Sequence, residues 1–368
     1  MEKQILTLIY LAVVFMNVNG NVNYAEKGEL KKIQNDGFSE ATPSNDNKCQ
    51  QCNCTTWTVD CSNRNITSLP LDLPSNITTL DLSGNPIKVL PDYLLGRYYK
   101  NLKTLNITEV CLLKNLSAYV FHGLGKLQSL YHRCHHRSVP IKVNPYTFKP
   151  LKKIQNIEIT GCTRTMYPTA RYDWLEAFKG LQNSKIEKIT YVYISWIPFI
   201  VKEINFKYFE NCKLKELYMP NNKITAIETG VVKYLQYLEI IDFSRNMIAA
   251  FIPNDFVVPV LYLLSLIHLK VIKVDNSERR MAIDINNPRT VNCGILKWTL
   301  PLPLGLEELH ISGTMVDSRP SSIPCEMKFQ RENRLRILNA ADTHVATYFG
   351  APIKGLVNVQ QIIDNMSN

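Results

Sequence analysis

The chain has 368 residues, 45% of them hydrophobic and 20% charged, enough apolar side chain for an ordered core and too much for global disorder. Its 15 glycines exclude collagen, its length excludes a disulfide miniprotein, and it lacks the several long apolar runs of a polytopic membrane protein. Lys and Arg number 42 against 32 Asp and Glu, and this excess of +10 favours anionic partners without naming one.

Residues 1–20 run from Lys3 through an apolar stretch, Ile5 to Met16, to Val18-Asn19-Gly20, the pattern of a secretory signal peptide. At a helical rise of about 1.5 Å per residue the stretch is too short to cross a bilayer. Residues 21–48, rich in Asn, Lys, Asp and Ser, cannot offset chain entropy by burial and are expected to be a flexible leader. Cys49, Cys52, Cys54 and Cys61 follow. In an exported chain they read as disulfides in one of three connectivities, with a zinc site as the competing reading. Asn-x-Ser/Thr sequons at Asn53, Asn65, Asn76, Asn106, Asn115 and Asn365 are glycosylation candidates, and five of these fall between 53 and 117, which predicts a solvated flank there.

From Ile77 onward one frame recurs: apolar at places 0, 3 and 5, a small polar residue at 8, apolar again at 10. Clear copies start at Ile77, Leu214, Leu238 and Leu306, and weaker ones at Leu102, Leu127, Ile154, Ile186, Leu269 and Leu335. The frame predicts a short strand per repeat that buries its apolar residues only against neighbouring repeats, an α/β solenoid with a parallel sheet on its concave face. Place 8 needs a small polar side chain to pair buried backbone groups where the chain bends, and Asn85, Asn222 and Asn246 suit it. Val110, His135 and Ile194 break that slot, and His132 stands where an apolar residue is expected.

These residues resemble the leucine-rich-repeat family, and the cysteine group followed by Asn65-Ile66-Thr67-Ser68-Leu69-Pro70 is similar to its N-terminal cap. That resemblance implies a horseshoe, a cap over 49–76, repeats over 77–368 with the last incomplete, and the pairs Cys49–Cys54 and Cys52–Cys61. Uneven repeat lengths and the stretch Leu300 to His310 make the chain look most like a Toll-like receptor ectodomain. This implies an innate immune receptor that dimerises, as homo- or heterodimer, on a protein, microbial or polyanionic ligand. With no membrane helix or TIR domain in the sequence, only an N-terminal portion or a truncated secreted form is expected, itself making no membrane contact. A secreted leucine-rich-repeat interaction module is the alternative. Either way the chain is expected in the secretory pathway, luminal or extracellular.

The concave positions are expected to include Lys215, Glu216, Tyr218, Glu239, Asp242, Glu307, Glu308, His310, Arg336 and Asn339. Residues 97 to 153 hold eleven Lys or Arg against one acid, Glu109, together with His122, His132, His135 and His136. The block predicts an anion-attracting patch that gains charge below about pH 6.5. Candidate ligand contacts are Arg133, His135, His136, Arg137, Tyr218 and His310. A metal set from His132, Cys134, His135 and His136 is disfavoured, since consecutive strand residues face opposite ways. Outside the cap, Cys111–Cys134 and Cys293–Cys325 are candidate bridges, and Cys162 reads as a buried thiol. No phosphate loop, Gly-x-Ser-x-Gly elbow or His-Glu-x-x-His is present, so neither catalysis nor a cofactor or resident metal is expected.

Overall fold

The computed structural model describes residues 49–110, 112–133, 142–161, 173–195, 198–248, 263–275, 297–300, 302–310, 326–329, 333–339 and 361–363, all in one compact unit, Asn47–Asn368. The expected signal peptide, the leader, Asn365, and Cys111, Cys134, Cys162, Cys293 and Cys325 lie outside these residues.

A sheet of thirteen strands is ordered as the chain runs: Asn53–Cys54, Thr58–Asp60, Thr79–Asp81, Thr104–Asn106, Ser129–Arg133, Asn156–Thr160, Lys188–Val192, Glu216–Tyr218, Ile240–Asp242, Val271–Lys273, Glu308–His310, Ile337–Asn339 and Gln361–Ile363. Among the described residues only the first pair is antiparallel. Register places Leu80, Leu105, Leu130, Ile157, Ile189, Leu217, Ile241, Ile272, Leu309 and Leu338 opposite one another in successive rungs. All ten are buried. Place 3 of the frame is therefore the spine of the solenoid, and the sheet runs one strand past the repeat at Leu335, to Gln361–Ile363. Behind it an aromatic column runs through the repeats between Leu102 and Leu214, with Phe121, Phe148 and Trp174 stacked in sequence and Phe178 packed on Phe206 and Phe209.

Four of the short strands are ended by side chains. Asp60, Asp81, Asn106 and Asp242 accept, through Oδ1, the N–H two residues on, at 2.8, 2.8, 3.0 and 2.8 Å. Such turns stop a strand, and these rungs are three residues long. The three consecutive five-residue strands carry Tyr131, Glu158 and Thr190 at that place instead.

The polar slot forms an asparagine ladder. Asn246 Oδ1 accepts from the N–H groups of Asn222 and Ile224 in the preceding rung, at 2.9 and 3.1 Å, and Nδ2 donates to the carbonyls of Met219 and Phe243 at 2.8 Å each. Asn85 does the same for Arg64, Ile66, Cys61 and Leu82. Ile194, which has no amide, has its own N–H satisfied by Asn222 Oδ1 at 2.7 Å. In the repeat from Leu102 the frame slips: Leu113 is buried while Leu112, at place 10, is 43% exposed.

At the start of the sheet Cys49 is bonded to Cys54 and Cys52 to Cys61, the pairs that the cap resemblance implies. The cap strand Thr58–Asp60 lies parallel to Thr79–Asp81 and puts Val59 over Leu80, so the first rung keeps its apolar spine covered. The chain is a leucine-rich-repeat solenoid with an N-terminal disulfide cap.

Candidate functional site

Six rungs enter their strands through one local unit. A tight turn is closed by an N–H that donates to the carbonyl three residues back: Leu102 to Tyr99, Leu127 to Leu124, Ile154 to Leu151, Leu238 to Leu235, Leu269 to Leu266 and Leu306 to Pro303. Both ends of each turn are buried anchors, so its two middle residues are pushed to a tip. The residue between anchor and strand then donates its N–H to its counterpart one rung back. Lys215 to Glu187, Glu239 to Lys215, Lys270 to Glu239, Glu307 to Lys270 and Arg336 to Glu307 are all 2.8 Å, which fixes one column of side chains along the edge where the strands begin.

This leading edge changes character along its length. In the early rungs the turn tips are Lys100-Asn101, Gly125-Lys126 and Lys152-Lys153, and Lys103 stands in the column. Neighbouring tips are side by side, since Lys126 Nζ donates to Asn101 Oδ1 at 2.7 Å. Lys185 and Lys213, exposed just before the anchors Ile186 and Leu214, prolong the row. Five of the eleven basic residues between 97 and 153 thus share one edge. Arg133 is exposed at the trailing end of its strand, Lys114 and Lys142 are paired by backbone beyond it, and His135, His136 and Arg137 lie outside the described residues.

In the later rungs the tips carry Tyr237, Ile267 and Leu304, which are 49%, 70% and 66% exposed. Beside them the column alternates in sign: Glu187, Lys215, Glu239, Lys270, Glu307, Arg336. Ion pairs join Lys215 to Glu187 at 3.4 Å, Lys270 to Glu239 at 2.6 Å and Arg336 to Glu307 at 2.7 Å. The Lys270 ammonium holds the Glu239 carboxyl below its usual range. Lys215, Glu239, Glu307 and Arg336, expected on the concave face, belong to this edge because each strand begins one residue later.

On the sheet face, Lys188 Nζ is 2.8 Å from Glu216 Oε2 and 4.8 Å from the Tyr218 ring centroid. The Tyr218 hydroxyl donates to Glu216 Oε2 at 3.1 Å, and burial followed by the Glu216 charge pushes it up to about 12. His310 Nε2 is 3.3 Å from Glu308 Oε2. Tyr218 and His310 therefore belong to separate intramolecular pairs, three rungs apart.

His132 corrects the expectation of an acid-gained charge at that place. It is buried, donates from Nδ1 to the Ile107 carbonyl at 3.2 Å and stacks on Trp174. Burial pulls its pKa down to about 4, so it stays neutral through the range where the patch was expected to charge. Its side chain faces the core, out of reach of any metal at the surface. His122 is exposed beside Tyr93.

Four sequon asparagines, Asn53, Asn65, Asn76 and Asn115, are exposed. Asn106 is half-buried and its Nδ2 donates to Asp81 Oδ2 at 2.9 Å. No sequon falls between residues 116 and 364, so the later leading edge carries none. The Asp-x-Ser and Asn-x-Thr pairs that end the strands, and the sign alternation in the column, went unread in the sequence. Both were available in it once the frame was known.

Residues 75–131 match the leucine rich repeat family. Over 181 residues the chain is 27% identical to Toll-like receptor 3 of Bos taurus, an alignment covering 47% of this chain and 19% of that protein. It is 27% identical over 217 residues to decorin of Canis lupus familiaris, covering 54% of this chain and 56% of decorin. The chain therefore spans less than two thirds of either relative. Among solved structures it is similar to human 5T4 (Wnt-activated inhibitory factor 1, trophoblast glycoprotein), with a TM-score of 0.46, 19% identity and coverage of 64% and 82%. It is also similar to the mouse RP105/MD-1 complex, with a TM-score of 0.45, 14% identity and coverage of 85% and 50%. Repeat frame, asparagine ladder, disulfide cap and the family match agree on a leucine-rich-repeat solenoid, whose sequence is similar to those of a Toll-like receptor and of decorin.

Proposed function

We propose that the chain is the ligand-recognising part of a Toll-like innate immune receptor, non-catalytic, which holds a polyanionic macromolecule along its basic leading edge and works as a dimer on the luminal or extracellular side of a membrane. The observation that carries the reading is the row Lys100, Lys103, Lys126, Lys152 and Lys153, continued by Lys185 and Lys213, on one edge of consecutive rungs with no acid at those places before Glu187. A row of cations at a strand spacing of about 4.8 Å fits an extended anionic polymer better than an enclosed metabolite. His135, His136 and Arg137 would add to the same attraction, as would Arg133 from the trailing side. Glycans at Asn53, Asn65, Asn76 and Asn115 are part of the proposal, as are disulfides Cys111–Cys134 and Cys293–Cys325. Mass mapping of the exported chain reads both.

The test is salt dependence. Binding of heparin by the exported chain should weaken at least about tenfold between 50 and 200 mM salt, the behaviour of contacts made by several released counterions. Binding that ignores salt would remove the polyanion reading. The similarity to decorin supports a second reading, a secreted interaction module. The coding sequence past residue 368 decides between them: a membrane helix and TIR domain for the receptor, a cysteine cap and stop for the secreted protein.

A further inference from the structure

The later half of the leading edge carries a charge pattern with a symmetry property. Six residues, each immediately before its strand, alternate in sign: Glu187, Lys215, Glu239, Lys270, Glu307, Arg336. Read backwards, the same column begins with a base and ends with an acid. Laid antiparallel against its own copy, it sets every acid opposite a base; laid parallel, it sets like against like. From this we infer that residues 187–336 of the leading edge form an isologous contact with a second copy of this chain, with its two-fold axis between the rungs of Glu239 and Lys270. The inference rests on the proposal above for the expectation of a dimer, and adds to it the surface, the symmetry and the register.

Three features agree with this occupant. The turn tips on either side of the proposed axis hold exposed Tyr237 and Ile267, and the two-fold brings Tyr237 of each copy against Ile267 of the other, an apolar centre with charges around it. Leu304, at the next tip, widens that centre. The backbone ladder at 2.8 Å per step holds the six side chains in register before any partner arrives, so little ordering remains to be done on contact. The edge is also free of sequons from 116 to 364, whereas five of the six fall between 53 and 117. Five strand intervals of about 4.8 Å make a strip roughly 24 Å long. A strip of that size belongs to weak, transient contacts, which become effective when two chains share a membrane or a polymer.

Glu239→Lys and Lys270→Glu test the register. In either variant alone, the two-fold sets like charges together twice, and self-association of the exported chain at about 100 µM, read by sedimentation velocity, should fall at least about tenfold. Mixed one to one, the variants face each other with opposite charges at both places, so a dimer should reappear that neither forms alone. A residue with a purely structural role within its own chain would not show this rescue. Ile267→Asp, at an exposed tip, should abolish the dimer with its melting unchanged, and keeps the test sound if a charge variant folds poorly. A wild-type chain that stays monomeric at that concentration, single variants that associate as wild type does, or a mixture that stays monomeric would each overturn the inference. None of these outcomes touches heparin binding, which is measured at the basic end.

Discussion

At the scale of single residues, the slot asparagines do what no apolar residue can. Removing the Asn246 side chain orphans two buried N–H groups and leaves the Met219 and Phe243 carbonyls without its amide. Asn246→Ala should therefore cost about 3 kcal/mol or more in a denaturant melt, and Asn246→Asp no less, since its second oxygen would face those carbonyls. His132 makes a pH prediction of definite sign. Its folded pKa, about 4, lies below the ordinary value of 6.5, so the unfolded chain binds more protons between the two. Stability contributed by this residue is complete above pH 6.5 and is lost as the pH falls toward 4, about 3 kcal/mol in all. His132→Leu, which restores the apolar residue of the frame, should flatten that part of the stability–pH curve. A curve unchanged by the substitution would show that the imidazole is not buried neutral. The break at His132 was visible in the sequence, but its meaning was not: only the packing of Trp174 from a later, irregular segment shows that a histidine can fill an apolar place.

At the scale of elements, the frame made the strands legible because places 0, 3 and 5 repeat the same burial in each rung. The segments between them resisted reading. They differ in length, and their packing is set by neighbours rather than by their own periodicity. The helix Leu94–Tyr98 is an example. A Cβ on Gly96 would lie 2.0 Å from the His122 carbonyl oxygen and 2.6 Å from Gly123 Cα, while Gly123 itself holds φ +89. Two glycines thus let backbone touch backbone between consecutive repeats. Gly96→Ala should cost about 2 kcal/mol or more by thermal melt, whereas an alanine at Gly125, where nothing lies within 4 Å, should be near neutral. The strand ends were legible in principle, since the pairs Asp81 with Ser83 and Asp242 with Ser244 recur at fixed places in the frame. The leading edge was half legible: the excess of Lys and Arg in residues 97–153 was plain, but which of them share an edge depends on which residues cap each turn.

At the scale of the whole molecule, stacking turns a one-dimensional pattern into a surface. One place in a repeat becomes a column, and the net charge of +10 is delivered in part as a row of lysines on one edge. On the proposed reading a polyanion meets that edge, and net charge alone does not set its affinity. Matched charge reversals separate the two. Lys126→Glu with Lys153→Glu changes the leading edge, and Lys114→Glu with Lys142→Glu makes the same change in net charge beyond the trailing ends of the strands. Heparin affinity of the exported chain at 100 mM salt should fall about a hundredfold for the first pair and no more than about threefold for the second. Equal losses for the two pairs would contradict the account.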